Sequence, residues 1–86
     1  MTVRVGVLRI ELFVPGARSL KAKRQVIRSI KDRLRNKFNV SVSEVAYQDK
    51  WQRATLGIAM VGTDGKYVSG ALENAVKFVR GEPGVE

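Results

Sequence analysis

Five cations recur along one stretch of this chain at helical spacing: Lys21, Arg24, Arg28, Lys31 and Arg35 follow one another at intervals of three and four residues. At 100° per residue they line one flank of a helix, and at 1.5 Å of rise per residue the ridge they form is about 21 Å long. Such a row matches several successive phosphates of a nucleic-acid strand, contacts that carry affinity without reading base sequence. Residues 18–37 hold nine bases and one acid, Asp32, so this segment carries the whole formal charge of +8 and the other residues sum to zero. Like charges three and four apart disfavour the helix by roughly 0.2–0.5 kcal/mol per pair, and only Asp32 is placed to relieve them from within. The competing reading is a solvated face that keeps the protein soluble.

The first turn of this helix concentrates the same problem. Ser19 is a good N-cap, but Lys21, Lys23 and Arg24 stand near the positive end of the helix dipole, where acids are preferred by about 0.3–1 kcal/mol each. A bound anion reverses that penalty. The pattern predicts a phosphate or sulfate site at Arg18, Ser19, Lys21, Lys23 and Arg24 that anchors the longer track, against the alternative of a water-filled first turn. Lys23 is an anomaly, because it projects into the apolar arc between the directions of Leu20 and Ile30. It is expected either to snorkel, with its methylene stem over the end of a sheet and its ammonium in water, or to join the anion.

Other chemistry is missing. Without His or Cys, the commonest general base, thiol nucleophiles and most transition-metal ligand sets are absent. The carboxylates Glu11, Glu44, Asp49, Asp64, Glu73, Glu82 and Glu86 form no paired motif, and helix capping is sufficient to explain Ser19 near Lys23. Pro15 to Ser19 resembles a phosphate loop only loosely, since one Gly is weak support. No catalytic residue, metal or cofactor is expected. The stretch Thr55 to Val61 carries no ring to stack a base, so RNA contact would use the basic helix and the sugar-phosphate backbone. Trp51 and Tyr47 lie where they could stack, although an aromatic near a turn more often packs.

The elements that must hold the ridge can be read from periodicity. From Val3 to Val14 apolar residues alternate with one phase change, which predicts a strand with a bulge near Val7 and Leu8. Pro15 and Gly16 end it. A helix follows from Ser19 to Phe38 with Leu20, Ile27, Ile30, Leu34 and Phe38 on its apolar face. Val40, Val42, Val45 and Tyr47 read as a second strand, Ala54, Leu56, Ile58 and Met60 as a third, and the polar run Gln48 to Arg53 makes them a hairpin. Thr63, Asp64 and Gly65 give a turn with an N-cap, and Val68, Leu72, Ala75 and Val79 mark a second helix closed by Gly81. The order βαββα predicts an α+β, ferredoxin-like single domain over residues 1–86, an antiparallel sheet with two helices on one face. Its last strand, beside the first, would begin in Pro83 to Glu86 and so be missing or incomplete. An open edge and an apolar helix-free face, to which Val45, Tyr47, Ala59 and Val61 could contribute, predict a homodimer.

Eighty-six residues, 44% of them hydrophobic, suffice for one modest core. The lack of cysteine points to a reducing cytoplasm. Arg4, Arg9 and Glu11 interrupt the apolar N-terminal stretch before a signal core or membrane span could be completed.

The segments SLKAKR (Ser19 to Arg24), KFNVSVSEV (Lys37 to Val45) and QDKWQRA (Gln48 to Ala54), with the leading GVLRIEL (Gly6 to Leu12), resemble the YlxP-like family of short bacterial proteins of unknown function. The resemblance implies a ferredoxin-like fold and brings no catalytic residue. Genes of that family often neighbour those for translation initiation and ribosome maturation factors, which implies RNA work by association. The leading expectation is therefore a non-enzymatic RNA- or ribosome-associated protein acting through its basic helix. The alternative is a homodimeric interaction or regulatory module with no nucleic-acid role.

Overall fold

A computed structural model of the chain describes residues 2–86. The elements run β1 (Arg4–Phe13), α1 (Leu20–Lys37), β2 (Ser41–Ala46), β3 (Arg53–Gly62) and α2 (Gly65–Arg80). The sheet is antiparallel in the order β1-β3-β2. With two helices on one face this is the α+β, ferredoxin-like arrangement.

The core forms where the period of each element turns its apolar residues to the helices. Leu12, Val42, Leu56, Ile58 and Met60 from the sheet are buried with Ile27, Ile30 and Leu34 of α1 and Val68, Ala75 and Val79 of α2. Each large aliphatic side chain buried in this way contributes about 1.5–3 kcal/mol. Phe38, which caps α1, meets Phe78 edge to face at 6.0 Å between ring centroids and joins the two helices. Arg33 of α1 donates to Glu82 beyond α2, fastening them a second time.

The bulge expected near Val7 and Leu8 does not occur. Register is unbroken from Arg4 opposite Gly62 to Phe13 opposite Arg53. The two phases of the apolar pattern are instead the two faces of one regular strand. Leu8, Ile10 and Leu12 turn to the helices, and Val5 and Val7 stand exposed on the opposite face. The sheet's irregularity lies in β2, between Glu44 and Ala46. Two glycines set the seat of α2: a Cβ on Gly6 would lie 2.6 Å from Val68 and Leu72, and one on Gly62 2.8 Å from Val68. At the C-terminal end, Glu86 and Phe13 exchange backbone hydrogen bonds of 2.8 and 2.9 Å on the outer edge of β1, the pairing an antiparallel neighbour makes.

Candidate nucleic-acid interface

Helix α1 begins as its sequence requires. Ser19 is extended and its Oγ accepts the Ala22 N–H at 3.0 Å, while its carbonyl takes the Lys23 N–H at 3.1 Å. The N–H groups of Leu20 and Lys21 find no protein acceptor among the described residues, and no acid stands in the first turn.

Lys23 overturns both expectations made for it. Its side chain is wholly buried, and Nζ donates to Glu44 Oε2 at 2.8 Å, to the Tyr47 carbonyl at 2.6 Å and to the Arg53 carbonyl at 3.0 Å. An ammonium has three donors, so none is left for an anion, and Lys23 leaves the predicted phosphate site. It neither snorkels nor binds from the surface. It ties the first turn of α1 to the end of β2 and both ends of the β2–β3 loop. Tyr47 there adopts φ 62, a left-handed conformation that costs a residue with a side chain about 1–2 kcal/mol. The hydrogen bond to Lys23 and the Arg53 guanidinium, 4.4 Å over the Tyr47 ring, help hold it.

The same loop is fastened to the segment that leads into α1. Gln52 Nε2 donates to the carbonyls of Pro15 at 3.1 Å and Ala17 at 3.3 Å, and the Gln52 carbonyl accepts from the Val14 N–H at 2.8 Å. Sequence spacing alone does not link Lys23 with Glu44, Tyr47 and Arg53; the one signal for it is the lysine inside an apolar arc.

The outer flank of α1 is different. Arg18, Lys21, Arg24 and Arg28 are exposed and Lys31 is half-buried, and none has an acidic partner among the described residues. Arg35 ends the ridge differently, donating Nη2 to the Val42 carbonyl at 2.9 Å and Nη1 to Asp32 at 3.3 Å. Of the nine bases in residues 18–37, Lys23, Arg33 and Arg35 are ion-paired. Lys37 lies 5.1 Å over the Phe78 ring. The surface can therefore offer four successive cations at helical spacing to a polyanion. Among the described residues, no helix is long and apolar enough to cross a membrane.

Fold and charge together define a small ferredoxin-like α+β protein with a cationic first helix. The chain belongs to the family described as "Protein of unknown function (DUF503)", whose pattern matches residues 5–86. It is 40% identical over 82 residues to the "Uncharacterized protein YlxP" of Bacillus subtilis (strain 168), an alignment that covers 95% of this chain and 89% of that protein.

Proposed function

We propose that the protein is a non-enzymatic RNA-binding protein that lays the outer flank of α1 along a sugar-phosphate backbone. The observation that carries this reading is the row Lys21, Arg24, Arg28 and Lys31, which shares one flank and has no acidic partner among the described residues. Arg18 and Lys21, beside the unsatisfied N–H groups of the first turn, anchor the phosphate at its N-terminal end, and Arg24 completes that anchor without Lys23. The gene association implied by the family resemblance favours RNA over other polyanions.

The test is affinity for RNA as a function of salt. Four phosphate contacts give a slope of log K against log salt of roughly −2.8 to −3.6. Arg24→Glu with Arg28→Glu weakens binding to all sequences alike. A slope near zero removes the proposal.

A second reading rests on a separate observation. Val5, Val7, Val45 and Val61 are 64%, 76%, 52% and 59% exposed and share the helix-free face of the sheet with half-buried Ala59. A second copy of the chain covering this face would make a homodimer. Light scattering at micromolar concentration checks it, with Val7→Lys expected to shift a dimer to monomer and a monomeric native chain counting against it.

A further inference from the structure

We infer that the β2–β3 loop stacks an unpaired base on Trp51, which makes single-stranded RNA the ligand of the basic ridge. This inference rests on the proposed RNA binding and adds the class of RNA. Trp51 is 54% exposed, so the ring does not complete the core, as an aromatic near a turn usually does. Yet its loop is not loose. Lys23 bonds both ends of it through the Tyr47 and Arg53 carbonyls, the Lys50 N–H bonds the Tyr47 carbonyl at 3.1 Å, and Gln52 is clamped to Pro15 and Ala17. A rigid anchorage that presents an indole to solvent lowers the ordering cost of whatever stacks on it.

The surroundings select the occupant. A shallow, open depression of the surface is lined by Phe13, Lys50, Trp51, Gln52 and Arg53, so two rings and two cations border it. Aromatic faces beside phosphate-binding cations are how single-stranded nucleic acid is held, one base per ring with its phosphate on the neighbouring charge. Pro15 and Ala17, to which Gln52 is bonded, precede Ser19 by only a few residues. The loop therefore adjoins the end of α1 where the ridge starts. Phe13 and Arg53 lie in phase with Val5 and Val7 on the helix-free face, so a strand whose phosphates follow Lys21, Arg24 and Arg28 would pass round this end of the sheet to bring a base to Trp51. In a duplex the bases remain stacked on one another and unavailable to the ring.

Trp51 is the sole tryptophan of the chain, so its fluorescence reports this site alone. The experiment titrates the full chain with single-stranded oligoadenylate and with an RNA duplex of equal length, following emission and affinity. Expected is quenching by the single strand and not by the duplex. Trp51→Ala should weaken single-strand binding roughly 5- to 150-fold with the salt slope unchanged, and Trp51→Phe should recover most of the loss. If Trp51→Ala binds the single strand like the native chain while Arg24→Glu with Arg28→Glu does not, the stacking assignment fails and the ridge stands. If the native chain binds neither RNA, both readings fail. Emission that changes with protein concentration alone would assign the loop to a protein contact and overturn the inference.

Discussion

Lys23 and Arg24 are consecutive residues of α1 in opposite surroundings. Lys23 is wholly buried with a carboxylate and two carbonyls on its three donors, whereas Arg24 is exposed beside Lys21 and Arg28 with no ion-pair partner among the described residues. One side of the helix turn is a closed polar network that fixes a loop. The other is an excess of like charge that the fold leaves uncompensated. The difference shows that what a cation does for a protein is decided by the acceptors around it. Where they are supplied from within, charge is architecture, and where they are not, it is capacity for a ligand.

The contrast can be broken from either side. The largest effect is expected for Lys23→Met, which strands Glu44 and two carbonyls in the interior and should cost about 3–5 kcal/mol in urea unfolding, a large share of a small chain's stability. A loss below about 1 kcal/mol would erase the distinction between the two sides. Glu44→Gln keeps an acceptor and removes its charge, for an expected loss of about 1–3 kcal/mol by the same measurement. Arg24→Glu with Arg28→Glu should change stability by no more than about 0.5 kcal/mol, because the pairs with Lys21 and Lys31 become opposite while residues 24 and 28 stay alike and residue 28 now repels Asp32. Its RNA binding should nevertheless be lost, and a folding defect of several kcal/mol would mean that the ridge is structural. The smallest effect sharpens the comparison at its boundary. At equal ionic strength, phosphate should stabilise the native chain over chloride by about 0.4 kcal/mol when its concentration equals its Kd. Lys21→Ala with Arg24→Ala should lose that difference, and equal stabilisation of both proteins would place the anion elsewhere.

What was legible in the sequence followed from local period and local chemistry. Ser19 and Asp64 cap their helices as their types require, Gly81 closes α2, and the alternation of Leu56, Ile58 and Met60 marks β3. Local period misleads where apolar residues stand exposed or where partners come from distant elements. Val5 and Val7 are exposed on a regular strand, and their phase imitates a bulge. Lys23 is satisfied by residues 21 to 30 positions away, and no spacing rule connects them. A left-handed Tyr47 is equally invisible, because Gly or Asn is the usual signal for that conformation. The cations of the ridge could be placed from spacing alone, but the engagement of Arg35 with Asp32 and Val42 needed the fold.

The register of β1 on β3 has a consequence for how the chain is made. Partners are separated by 40 residues at Phe13 and Arg53 and by 58 at Arg4 and Gly62, with all of α1 and β2 between them. During synthesis the first strand waits for a partner that has not yet been translated. At roughly 5–20 residues per second, that interval lasts on the order of 2–10 s. Over that time β1 presents Val5 and Val7 on one side and Leu8 and Ile10 on the other, while the cationic helix has already emerged behind it. The nascent chain thus passes through a stage that is sticky at its front and strongly positive at its middle, and closure of the hairpin onto β1 is the step that ends it.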